Sequence, residues 1–214
     1  MKNLLIWLAL YASVLVWSAW QPHDGITWWM EATPALLALP LLAWCRWKFP
    51  LTPLLYVLIL LHCWVLLVGA HYTYAQVPLF DWLAEWLGWS RNNYDKLGHF
   101  AQGFVPAMIA REILLRNRVL QAGGWCHFLC GCFALALSAL YELIEWWAAV
   151  LTEDGAEAFL GTQGYVWDTQ SDMLLALIGA ICALWTLSSL HDRQLAKWVM
   201  FAPAQRVTLS DGSL

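Results

Sequence analysis

Six long apolar stretches constrain this chain more than any other feature. They fall at about residues 4–20, 31–47, 50–69, 95–115, 126–151 and 169–190. A helix satisfies its own backbone hydrogen bonds, and roughly 20 mostly apolar residues carry it across ~30 Å of hydrocarbon. The expected fold class is therefore all-α: a polytopic membrane helix bundle of six transmembrane helices. Composition excludes the soluble alternative, because 61% of the 214 residues are hydrophobic and only 12% are charged. A soluble domain carries about 25% charged residues, and half of that leaves too little polar surface to cover a globule. Residues 1–194 read as one six-helix transmembrane domain and residues 195–214 as a cytoplasmic tail, with no internal repeat. The net charge of −4 gives no basis for nucleic-acid binding. Lys2 ahead of the first apolar run resembles the start of a signal peptide. That run is too long, however, and Trp17 stands where a cleavage site wants a small residue, so it reads as a retained span.

Orientation follows from the basic residues. With the N-terminus inside, the cytoplasmic side receives Lys2, Arg46, Lys48, Arg111, Arg116, Arg118, Arg193, Lys197 and Arg206, nine of the eleven. Arg91 and Lys96 fall outside. Both termini are then cytoplasmic.

Between spans three and four, Leu79, Trp82, Leu83 and Trp86 share a helical face while Asp81 and Glu85 point elsewhere. This predicts an amphipathic helix lying flat in the outer interface. A second outer connection runs from Thr152 to Asp168 and carries Glu153, Asp154, Glu157 and the turn-like Gly161-Thr-Gln-Gly164. Outer-side tryptophans, among them Trp17, Trp28, Trp82, Trp86 and Trp146, suit an interfacial belt.

Ionisable side chains inside spans cost about 2.5–3.5 kcal/mol each on insertion, so they mark function by default. They gather in three helices. Span four opens with Asp95-Lys-Leu-Gly-His99, span five contains Tyr141-Glu142-Leu-Ile-Glu145, and span six opens with Asp168-Thr-Gln-Ser-Asp172. Spacings of three or four residues put each pair on one helix face. Spans four and six run inward and span five outward, so all six groups lie within roughly 15 Å of the outer boundary. Asp95 and Asp168 taken singly suit helix N-caps. Glu142 and Glu145 near a helix C-terminus do not, since the dipole there disfavours negative charge.

Such a concentration of acids needs a counter-charge. A hard divalent cation supplies it, because it takes carboxylate oxygens and tolerates one imidazole. The expected ligands are Asp95, His99, Glu142, Asp168 and Asp172, with His99 and Glu145 as the groups that move protons. Arg91 or Lys96 are the competing compensators. His71, at the outer end of span three, is a further candidate for the site. His62 in mid-span reads as a packed histidine, as do Cys126, Cys130 and Cys132 as packing residues. Gly69, Gly98 and Gly103 are expected to let helices approach closely.

The three motifs resemble the YjdF-like bacterial inner-membrane proteins, a family of unknown function. The runs are Asp95-Lys-Leu-Gly-His99-Phe, Tyr141-Glu-Leu-Ile-Glu145-Trp and Gly161-Thr-Gln-Gly-Tyr-Val-Trp-Asp168-Thr-Gln-Ser-Asp172-Met. Tyr165 stands where that family's run would have Asp. The motif order is also distantly similar to VanZ-like proteins, with Glu145 in place of Gln and Asp172 in place of Asn. Both departures add negative charge and favour a cation. The resemblance implies a site location and names no substrate.

Three functions fit these residues. The leading one is a metal-assisted hydrolase or transferase acting on a lipid or lipid-linked headgroup at the outer leaflet. The second is an ion-binding transporter, disfavoured because the acids cluster near one surface. The third is an accessory protein whose polar cluster only locks helices together.

Overall fold

The computed structural model describes residues 2–151 and 165–199. Among these residues the chain forms seven helices and no strand: α1 Lys2–Ala19, α2 Gly25–Lys48, α3 Pro53–His71, α4 Pro78–Leu87, α5 Tyr94–Arg116, α6 Gly124–Leu151 and α7 Asp168–Val199. Four of them, α2, α3, α6 and α7, contain stretches long and apolar enough to cross a membrane. The first helix is a shorter apolar one, and α5 is long enough but carries charged residues at both ends. The connection from Thr152 to Gly164, including Glu153, Asp154 and Glu157, lies outside the described residues, as does the tail from residue 200.

Helix boundaries differ from the sequence reading in two informative places. The second helix starts at Gly25 rather than near residue 31, because the Asp24 side chain accepts a 2.7 Å bond from the Thr27 N–H and caps it. Glu31 therefore sits inside the helix. The last helix continues past residue 190 to Val199, so the expected boundary at 194 falls within it. The amphipathic helix forms as α4, ended by Gly88 in the left-handed conformation at φ 69°. Its Leu79, Trp82 and Trp86 face outward, with Phe80 packed edge-on against Tyr94.

The bundle consists of two three-helix groups. In the first, α3 lies between α1 and α2; in the second, α5, α6 and α7 pack mutually; α3 against α5 joins the two. Apolar side chains alone hold helices weakly in lipid, so polar atoms and close backbone approach fix the register. Tyr11 Oη donates to the Ala35 carbonyl at 2.8 Å, and Ser18 Oγ to the Leu67 carbonyl at 2.6 Å. Trp28 is not part of an outer belt: it is buried and its Nε1 donates to Ser18 Oγ at 2.9 Å.

The tightest seam is between α5 and α7. A side chain on Gly103 would overlap the Ala176 backbone, and one on Gly179 would overlap the Phe100 carbonyl. Gly103 thus has the role expected of it. Gly69 and Gly98 do not: the space they leave is filled by the ring of Tyr74 rather than by another helix.

At the end of the bundle opposite the acidic motifs lies a polar network of which the sequence reading singled out only Arg111 and Arg116, as cytoplasmic-side basic residues. Arg111, Glu112 and His191 are all buried. Glu112 accepts bonds from Thr52 Oγ1 at 2.7 Å, Arg116 Nη1 at 2.8 Å and His191 Nε2 at 3.0 Å. Arg111 Nη1 lies 2.9 Å from His191 Nδ1, and its Nη2 donates to Asp192 at 2.7 Å. A guanidinium can only donate, so Nδ1 accepts and the ring proton sits on Nε2, facing Glu112. This network ties α5, α7 and the start of α3 together.

Candidate functional site

The acidic motifs meet where α5, α6 and α7 converge with α2 and α3. A cavity of about 300 Å³ is lined by Glu31, His62, Tyr74, Asp95, His99, Gln102, Tyr141, Glu142, Glu145, Tyr165, Asp168 and Asp172, among others. All six sequence-nominated groups reach it. Five of them form two clusters rather than one, with Asp172 in both, and Glu145 stands outside either.

The outer cluster contains Asp95, Asp168 and Asp172, and two cations already compensate it. Lys96 Nζ contacts Asp172 at 2.7 Å, Asp168 at 2.9 Å and Ser171 Oγ at 2.8 Å, with Asp95 at 3.6 Å. An ammonium has three protons, so those three short bonds saturate it. Arg91 Nη2 contacts Asp95 at 2.8 Å and Asp168 at 3.2 Å. Tyr165 closes the group, its ring centroid 5.3 Å from the Arg91 guanidinium and 5.2 Å from Lys96 Nζ. Neither Asp95 nor Asp168 is the side-chain cap of its helix. Asn93 is the cap residue of α5, and Asp168 is the first residue of α7.

The inner cluster contains His99, Glu142 and Asp172, one ligand atom of each lying within 4.8 Å of the others. His99 Nδ1 is 3.0 Å from Gln102 Oε1, which fixes the ring proton on Nδ1 and leaves the Nε2 lone pair free. That nitrogen lies 3.7 Å from Asp172 Oδ2, and Nδ1 lies 3.7 Å from Glu142 Oε1. Glu142 Oε1 is out of solvent reach and has no hydrogen-bond partner. Ligand atoms ~2.1 Å from one ion stand about 3–4 Å apart, so a small contraction of this triad would seat one. Unlike the outer cluster, it has no Lys or Arg within ion-pair distance of His99 or Glu142 among the described residues.

Deeper still are groups the sequence reading missed or gave no role. Glu31 is 8% exposed and its Oε2 has no partner; the Nε2 of His62 is equally orphaned. Glu31 was overlooked because it lay at the expected edge of span two. The Asp24-Gly-Ile-Thr27 start signal would have placed it two turns inside. The Tyr74 hydroxyl is pushed well above its ordinary range by burial first, and then by Tyr141, Glu31, Tyr94 and Glu145 nearby. His71 does not join the site: its Nδ1 lies 3.0 Å from the Ser18 carbonyl and its ring stacks on Trp17.

A family described as "Predicted membrane protein (DUF2238)" matches residues 3–193. The inner membrane protein YjdF of Escherichia coli (strain K12) is 52% identical over 185 residues, covering 86% of this chain and 88% of that protein. No solved structure matches the chain. Neither match extends to VanZ-like proteins, so the expected distant similarity to them is not shown.

Proposed function

This chain belongs to the DUF2238 family of predicted membrane proteins, and we propose that its cavity is a divalent-cation site serving hydrolysis or group transfer on a lipid or lipid-linked headgroup. The bundle crosses an inner membrane six times with both termini in the cytoplasm, which opens the cavity to the periplasmic leaflet. The observation that carries this reading is the contrast between the two clusters. Lys96 fills the centre of the outer acids and takes Asp172 through Oδ1, whereas His99 and Glu142 converge on Asp172 with no Lys or Arg of their own within ion-pair distance among the described residues. Three acidic or imidazole ligands leave open positions for water and substrate, as a catalytic rather than a structural site does.

The chain's residues take distinct roles. His99, Glu142 and Asp172 hold the ion, and Gln102 orients the imidazole from behind. A divalent ion held there would supply Lewis-acid polarisation of a phosphoryl or acyl oxygen and a more acidic water. Glu145, one turn from Glu142 on the same face of α6, is the carboxylate placed to act as general base. Asp95 and Asp168, expected as ligands, instead hold Arg91 and Lys96 at the mouth, where a headgroup enters.

The test is metal content. Purified wild type incubated with Mn²⁺ retains about one equivalent, and the Asp172→Asn, Glu142→Gln double variant retains none. Equal and near-zero metal in both proteins removes this reading and leaves a polar cluster that only fixes helix packing.

A further inference from the structure

We propose that the deep half of the cavity is a subsite for the primary ammonium group of a membrane amphiphile, with Glu31 as its principal acceptor. This inference rests on the preceding reading only in that the amphiphile's anionic part would lie at the His99, Glu142 and Asp172 triad.

Glu31 is the anchor of the argument. It projects from α2, is more than nine-tenths buried, lines the cavity, and leaves Oε2 without a partner. A buried carboxylate oxygen left unpaired costs a substantial part of its hydration, so it implies a donor that arrives from outside. His62 Nε2 is a second orphaned atom lining the same cavity. Glu145 faces Glu31 closely enough for their charges to interact, and Tyr74 and Tyr141 complete the wall. Among the described cavity-lining residues there is no Lys or Arg.

The ligand's chemistry follows from what this wall offers. A bare divalent ion does not match, because neither Glu31 nor Glu145 belongs to a group of three ligands within 4.8 Å. A primary ammonium does match: it carries three N–H donors for the acceptors of this wall, and phenol rings accept its charge. A volume of about 300 Å³ suits a headgroup rather than a single ion.

The route suits an amphiphile. The acids meet from α2 and α6, yet α2 packs on α3 while α6 packs on α5 and α7. Access from the α2–α6 side would let a lipid present its headgroup laterally while its chains stay in the bilayer.

The experiment compares dodecyl phosphoethanolamine with dodecyl propyl phosphate, which replaces the ammonium by a methyl group. Binding to the purified full chain is measured with and without Mn²⁺. Wild type should favour the amine by about tenfold or more, the factor one charge-assisted hydrogen bond supplies. Glu31→Gln should erase that preference while Mn²⁺ binding stays unchanged, and Glu31→Asp, which keeps the charge, should retain part of it. Equal affinity for the two amphiphiles, or a preference that survives Glu31→Gln, overturns the subsite. Loss of Mn²⁺ binding in both Glu31 variants marks Glu31 as structural and overturns it too. Displacement by free ethanolamine at matching concentration overturns the assignment to an amphiphile. If wild type keeps the amine preference but binds no Mn²⁺, the metal reading fails and the ammonium subsite stands.

Discussion

The ring of Tyr74 occupies the space that Gly69 leaves open on α3, and a Cβ on Gly98 of α5 would come within 3.0 Å of its other side. The turn that delivers it holds two consecutive residues, Thr73 and Tyr74, at φ 53° and 54°. Left-handed backbone costs non-glycine residues about 1–2 kcal/mol each. The turn persists because Tyr74 N–H bonds the Gly69 carbonyl at 2.8 Å and the ring is clamped between two helices.

The clamp makes an asymmetric prediction. Gly69→Ala drives a methyl group into the ring and should destabilise the protein by about 1–3 kcal/mol. Gly98→Ala meets only a tight contact and should cost less. Thermal unfolding in detergent micelles measures both, and the reverse order would discredit the clamp.

The cap of α2 predicts a pH dependence. The Thr27 N–H lowers the Asp24 carboxyl below its ordinary value. A carboxyl lowered on folding contributes stability above its unfolded value and loses it as pH falls through the folded one. Asp24 is exposed, so Asp24→Ala should cost only about 0.5 kcal/mol at neutral pH. Melting profiles of the two proteins should converge in acid, and a deficit that grows on acidification would contradict the cap.

The buried Arg111, Glu112 and His191 network predicts that partial removal is worse than full removal. Arg111→Met alone leaves the buried His191 Nδ1 and Asp192 without their guanidinium partner and should cost about 3–5 kcal/mol. Replacing the three together by Met, Leu and Phe should recover much of that loss. The ¹⁵N shifts of His191 should show the proton on Nε2, and the opposite tautomer would refute the bonding scheme.

The division of the acids predicts unequal effects on metal binding. Asp172→Asn alters both clusters and should abolish Mn²⁺ retention. Asp95→Asn weakens only the ion pairs with Arg91 and Lys96 and should leave retention within about twofold, since no proposed ligand is lost. Mn²⁺ electron paramagnetic resonance titrations separate the two, and equal loss in both variants would restore Asp95 as a ligand.

Much of the architecture was legible because apolar length and acid spacing are local properties of the sequence. The convergence of Asp95, His99, Glu142, Glu145, Asp168 and Asp172 followed from helix direction alone. Three things were not legible, each for a physical reason. Which acids Lys96 would take depends on the α5–α7 register, and that register is set by Gly103 and Gly179 meeting backbone. Glu31 and His191 fell at or beyond the expected helix ends because apolar windows end at the first polar residue, whereas helices run on when a cap or a buried partner supports them. Tyr74 gave no signal, since a short turn between helices shows no periodicity.

The α5–α7 seam has one more consequence. Lys96 and Arg111 anchor α5 to α7 near opposite ends, about 22 Å apart at 1.5 Å per residue, and between them the two backbones touch at Gly103 and Gly179. Held by polar contacts near both ends and by backbone contact between them, α5 and α7 pack as a single two-helix unit, and the polar clusters at its two ends are set by one shared register.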